Sequence, residues 1–174
     1  MILYYHIYMI NIILYHPEIP ANTGNILRTA MATNSIVHII GPIPFDISDK
    51  ALQRAGMDYI KEAKFIYYDS YEDFVHKIGN VRIFYVTKYG INVYSNVDFS
   101  DQSEDVYVMF GRESTGIDKA ILHEHREDTL RIPMLSTARS LNLSNSVAIV
   151  VYDILRQKKF PSLATFDMIK KYTI

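Results

Sequence analysis

RIPMLSTARSLNLSNSVAIVVYD, Arg131 to Asp153, is the stretch on which the fold turns. It opens inside Leu130–Ile132, a short segment that reads as a strand. It closes on Val147, Val150, Val151, Ile154 and Leu155, which recur at helical spacing and predict a buried stripe on a helix over Asn142–Gln157. Between them stand Ser136, Thr137, Arg139, Ser140, Asn142, Ser144 and Asn145. A helix entry needs only one cap. The excess of hydroxyls and amides predicts a loop that grips a polar ligand at the edge of a packed core. Tyr152 follows Asn145 by two turns, where a tyrosine keeps its ring half-buried and its hydroxyl at the rim.

Two shorter strings precede this one. NTGNILR, Asn22 to Arg28, places two asparagines and a glycine at the start of a helix. Such a start is rich in donors able to hold an anion or ribose oxygens. Asn25 and Arg28 share one face of that helix, and Ile26, Leu27, Ala30 and Met31 supply the buried side. FGRESTGI, Phe110 to Ile117, carries a carboxylate, Glu113, between Gly111 and Gly116, where backbone can approach a ligand closely.

The remaining pattern alternates. Strands are expected at Asn11–Tyr15, Ser35–Ile40, Phe65–Tyr68, Arg82–Thr87 and Val106–Phe110. Helices are expected from Asn22 or Thr23 to Thr33, and over Ser48–Ala55, Tyr71–Ile78 and Asp118–His125. This order predicts an α/β protein with a largely parallel sheet flanked by helices. Sites in such sheets form on loops leaving the carboxyl ends of strands. The loops after Thr87, Phe110 and Ile132 qualify.

Composition sets bounds. Hydrophobic residues make up 49% of 174, enough for one substantial core. There is no cysteine, which excludes disulfides and thiolate metal sites and fits an intracellular location. The run MILYYHIYMINIILY is interrupted by His6 and Asn11, lacks a basic leader and is too short to cross a bilayer. Net charge is −1, but residues 98–128 hold nine acidic and three basic side chains, and residues 131–174 hold seven basic and two acidic. The basic C-terminal segment is one place for phosphate contact, and an unevenly charged solvated surface is the alternative.

Familiar nucleotide motifs fail. Gly111 to Gly116 has P-loop spacing, yet Ile117-Asp118 stands where Lys and Ser or Thr would hold phosphate and magnesium. There is no dinucleotide GxGxxG and no hydrolase GxSxG. His123 and His125 fall on different sides of a helix, so no metal site is expected there, and both read as solvated histidines.

In their order, the three strings resemble the signature motifs of the SPOUT class of RNA methyltransferases, in particular the tRNA wobble-nucleotide 2′-O-methyltransferases. The similarity runs from Met9 to Pro161 and includes ILYHPEIPANTGNILRTA, LQRAGMDY and VMFGRESTG. It implies a single SPOUT domain over 9–174, with 1–8 as a non-family extension and Met9 as a plausible natural start. It implies a deep trefoil knot in the C-terminal part, which periodicity cannot yield because knots are nearly absent among folds. It implies S-adenosyl-L-methionine as methyl donor, held by Val86, Gly111, Ile132 and Ser140, with no metal. The implied assembly is a cytoplasmic homodimer, each site completed by the partner, acting on the tRNA anticodon stem-loop.

The implied reaction is attack of the ribose 2′-hydroxyl on the donor methyl. A guanidinium keeps its proton in proteins. Arg28 is therefore expected to bind the adjacent phosphate and stabilise developing alkoxide, with Asn25, Glu113, Ser144 and Asn145 orienting ribose and arginine. Tyr152 would assist at the proton. Two other readings stay open: the same chemistry on another RNA such as rRNA, and a non-catalytic RNA-binding protein. The segment Thr87-Lys88-Tyr89-Gly90 matches the family only loosely, so Tyr89 is a position where contact with donor or RNA can differ.

Overall fold

The computed structural model describes residues 8–47 and 63–166. Its elements are β1 (Ile10–Tyr15), α1 (Pro20–Thr33), β2 (Ile36–Ile40), β3 (Phe65–Tyr68), α2 (Tyr71–Ile78), β4 (Ile83–Val86), β5 (Asn92–Val93), β6 (Val106–Phe110), α3 (Lys119–Glu124), β7 (Thr129–Arg131) and α4 (Leu143–Gln157). The helix expected over Ser48–Ala55 lies outside the described residues.

Every residue of β1 is buried. A strand with no wet face belongs in the middle of a sheet covered on both sides. Its side chains alternate between two cores. Ile10, Ile12 and Leu14 pack with Ile26 and Leu27 of α1 and with Val147, Val151 and Ile154 of α4. Ile13 and Tyr15 pack on the other face with Phe74 of α2, Tyr85, Met109 and Ile117.

The sheet has seven strands in the order β3-β2-β1-β6-β4-β7-β5. All pairings are parallel. Parallel neighbours need long crossovers, and those crossovers bring the loops after β1, β4, β6 and β7 to one edge of the sheet. β5 is a two-residue edge strand that alternation did not predict, since Asn92–Val93 is too short to show a period.

Two helix starts differ from expectation. α1 begins at Pro20, ahead of Asn22, because a proline in the first turn needs no N–H and already has helical φ. Asn22 therefore sits inside the helix and its side chain is released from capping. Asp118 occupies the capping position of α3, yet its carboxylate makes no cap bond. It accepts the Tyr15 hydroxyl at 2.5 Å instead and pairs with Arg112 at 3.8 Å. Burial, then the bond to Asp118, pushes the Tyr15 phenol up to about 12. His125 is not a solvated histidine, because its ring stacks on Tyr85 with centroids 4.9 Å apart.

Candidate active site

The loops at the carboxyl edge enclose a cavity of about 360 Å³. Val86 at the end of β4, Gly111 after β6, and Ile132 and Ser140 after β7 all line it. Those are the four residues expected to hold the donor. Phe110, Met134 and Leu141 add apolar wall.

Backbone geometry shapes the loop after β6. Arg112 and Gly116 exchange two backbone hydrogen bonds, of 3.2 and 3.0 Å. Gly116 closes this turn at φ +76°, a conformation side chains rarely adopt. A Cβ on Gly111 would lie 2.3 Å from backbone atoms of Gly116 and Ile117. Only glycine lets the two ends of the loop touch. The result is a tight projection with Glu113 and Ser114 on its far side.

Glu113 is held by the first motif. Its carboxylate accepts the backbone N–H of Glu18 at 2.9 Å, that of Ile19 at 3.3 Å and the side-chain amide of Asn22 at 2.9 Å. The start of α1, which has no side-chain cap of its own, is thus capped from 91 to 95 residues away. Glu18 returns the contact by accepting from the Ser114 N–H at 2.9 Å and hydroxyl at 2.8 Å. Those two bonds hold the Glu18 carboxyl below its ordinary range.

The third motif joins through Asn142, whose side-chain amide donates to Asn22 Oδ1 at 3.0 Å. Asn142 Oδ1 accepts the Ser144 hydroxyl at 2.7 Å and the Asn145 N–H at 3.3 Å, capping α4. Asn22 thus donates its N–H to Glu113 and accepts the Asn142 N–H at its oxygen, which fixes the orientation of its amide. One buried asparagine ties all three motifs together.

Glu113, Ser144 and Asn145 belong to this network, but only Glu113 lines the cavity. Asn25 and Arg28 are exposed on α1, and Tyr152, 48% exposed, is on α4; none of the three lines the cavity of its own chain. Sequence reading placed Asn22 at a donor-rich helix start and Asn142 in the polar loop but gave neither a partner, and it gave Glu18 no role. Their contacts span 91, 120 and 96 residues, and no local spacing marks them. The available hint was the excess of amides over what two helix caps require.

Among the described residues, no group of three or more His, Asp or Glu side chains converges as a metal site. No described helix is long and apolar enough to cross a membrane.

Similarity to known proteins follows this architecture. The SpoU rRNA Methylase family matches residues 9–152. The tRNA (cytidine(34)-2′-O)-methyltransferase of Escherichia coli (strain K12) is 41% identical over 160 residues, covering 91% of this chain and all of that protein. A crystal structure from Bacillus anthracis superposes with a TM-score of 0.86 at 46% identity, covering 88% of this chain and 97% of that one. A structure described as giving insight into the 2-OH methylation of C/U34 on tRNA superposes with a TM-score of 0.77 at 34% identity, covering 87% and 92%. With a match across both walls of the cavity and all three motifs, the chain belongs to the SpoU rRNA Methylase family.

Proposed function

We propose that this protein transfers a methyl group from S-adenosylmethionine to the ribose 2′-hydroxyl of the wobble nucleotide, a cytidine or modified uridine, in a tRNA anticodon stem-loop. The observation that carries this reading is the convergence of three distant motifs on one cavity through Asn22. The relatives named for methylation at tRNA position 34 supply the substrate.

The cavity suits the donor. Its apolar walls, Val86, Phe110, Ile132 and Leu141, can shield adenine and the methionine chain. Backbone amides and carbonyls of the same loops can read the polar edges, and the close approach at Gly111 keeps that backbone bare. Bound there, the donor supplies an electrophilic methyl on a sulfonium, which is already a good leaving group.

The chain's own residues supply alignment and charge. Arg28 acts as a fixed cation beside the phosphate next to the target and stabilises developing alkoxide. Glu113, oriented by Asn22, positions the ribose, with Asn25, Ser144 and Asn145 completing the polar frame. Tyr152 assists where the hydroxyl proton leaves. Because Arg28, Asn25 and Tyr152 stand apart from their own cavity, we assign them to the partner's site in a cytoplasmic homodimer. The C-terminal part is assigned a deep trefoil knot. Insertion of β7 between β4 and β5, consecutive strands in sequence, supports this assignment.

The test is tritiated methyl transfer from S-adenosylmethionine to total tRNA, with nuclease digestion to locate the label. Label in a 2′-O-methylated wobble nucleotide is the expected result. Donor binding without transfer to tRNA would redirect the substrate to rRNA. Neither binding nor transfer would sink the methyltransferase reading.

A further inference from the structure

The charge imbalance along the chain invites the C-terminal segment as the place where RNA phosphates bind, and the tertiary structure argues otherwise. Lys158 is buried, donates to the backbone carbonyls of Asp101 and Glu104, and lies 4.2 Å from the Tyr8 ring centroid. Arg131 donates to the Lys88 carbonyl, and Arg156 is paired with Asp153. Lys170 and Lys171 lie outside the described residues. Of the segment's described cations, that leaves Arg139 and Lys159 exposed without an ion pair, one in the loop before α4 and the other beyond its far end, so the two do not share a face.

A basic face forms instead inside the stretch that is acidic by composition. Lys119, His123 and Arg126 all line one groove of about 340 Å³ beside the cavity. No carboxylate lines it. Two acids of the same stretch are engaged elsewhere: Asp118 with Tyr15 and Arg112, and Asp128 with Arg82. Among the described residues, none of Lys119, His123 and Arg126 has an ion-pair partner.

This groove shares part of its wall with the active-site cavity. Thr87 and Tyr89 line both. Tyr89 is 65% exposed, and the Lys88 ammonium lies 5.1 Å from its ring centroid. An exposed aromatic ring between a reaction cavity and a row of cations is suited to stacking an unpaired base while phosphates follow the cations.

Resting on the function proposed above, we propose that the groove formed by Tyr89, Lys119, His123 and Arg126 is the docking surface for the RNA strand flanking the methylated nucleotide. The occupant is single-stranded RNA of the anticodon loop. Charge complementarity and the wall shared with the cavity favour RNA over a protein partner.

The test is fluorescence anisotropy with a labelled anticodon stem-loop RNA, at several salt concentrations, on the full-length protein. Lys119→Gln/Arg126→Gln should weaken binding roughly tenfold and make the log–log salt slope shallower by about 1.4, two single-strand phosphate contacts. Tyr89→Ala should weaken binding about tenfold with the salt slope unchanged, because stacking carries no counterion. Calorimetric binding of S-adenosylhomocysteine to the double variant should equal wild type, which also shows that the fold survives. Lys64→Gln/Lys77→Gln, near β3 at the opposite edge of the sheet, is the charge-matched control and should leave the slope as in wild type.

Wild-type affinity and slope in the Lys119/Arg126 variant, with the unsubstituted protein methylating tRNA, would overturn the groove alone and leave it to a protein partner. A wild-type protein that binds the donor but neither binds nor methylates tRNA would overturn the tRNA reading and the groove with it.

Discussion

The side-chain amide of Asn22 donates to Glu113 at 2.9 Å across 91 residues of sequence. Glu113 is the one predicted catalytic group that lines the cavity, and it points where α1 tells it to point. Its carboxylate also accepts the N–H of Ile19, the N-cap of that helix, and of Glu18 just before it. Site and scaffold are therefore one hydrogen-bonded unit.

Asn22→Asp should damage the reaction more than Asn22→Ala. The alanine variant loses the bond, a loss of about 1.5–3 kcal/mol for a charged partner, or roughly ten- to a hundredfold in rate. The aspartate variant adds like-charge repulsion against Glu113 on top of that. Single-turnover methyl transfer at saturating donor measures both. Equal rates in the two variants would remove the charge argument.

Gly111→Ala should abolish donor binding and destabilise the fold. Its Cβ would meet Gly116 and Ile117 backbone at 2.3 Å, so the loop after β6 must open. A loss of at least about 3 kcal/mol is expected for strain of this kind. Thermal melting and S-adenosylhomocysteine calorimetry decide it, and a variant with wild-type values for both would mean the loop has room.

Mixing two inactive variants should restore activity. In a homodimer whose sites borrow Arg28 from the partner, a heterodimer of Arg28→Ala with Glu113→Gln has one doubly damaged and one intact site. Random reassociation then yields about a quarter of wild-type turnover. A methyl-transfer assay on the mixture would show it, and the heterodimer purified through two tags should reach about half, one intact site of two. No recovery in a verified heterodimer places Arg28 and Glu113 in the same site.

Stability should fall between pH 6.5 and about 4 because of His38. This imidazole is buried between Tyr68 Oη at 2.9 Å and Asn11 Oδ1 at 3.0 Å, and burial pushes its pKa down to about 4. Above pH 6.5 it is neutral folded and unfolded, and contributes no slope. Below that, the unfolded chain takes a proton that the folded chain refuses, so stability drops by up to about 3 kcal/mol as the pH approaches 4. The carboxyls of Glu18, held low by Ser114, and Asp73, held low by Lys77, act only at lower pH. Urea midpoints from pH 7 to 5 should decline for the wild type and stay level for His38→Gln. Parallel curves would assign the decline to another group.

Local chemistry made much of the fold legible. Ile10–Tyr15 ends a longer apolar run at His16-Pro17, Val106–Phe110 is a short apolar run between Asp105 and Gly111, and the two are central strands paired to each other. The stripe Val147, Val150, Val151 and Ile154 lies buried as its spacing predicts. Four cavity residues, Val86, Gly111, Ile132 and Ser140, came instead from the resemblance of the three motifs to a known family. The partners of Asn22 were out of reach, because as a plausible helix cap it already had an ordinary explanation.

Hydrophobic periodicity and turn chemistry act over a few residues, so the sequence by itself determined which segments are strands and helices and which loops are polar. Strand order, the bond from Asn22 to Glu113, and the sorting of charge are contacts between distant segments. Lys158 shows the difference. By composition it belongs to a basic tail, and in the fold it is a buried ammonium held by the carbonyls of Asp101 and Glu104. Lys119 and Arg126 belong to an acidic stretch and form a basic groove, because packing chooses which charges share a face. That choice depends on how α3 sits against the sheet, which only the tertiary structure decided.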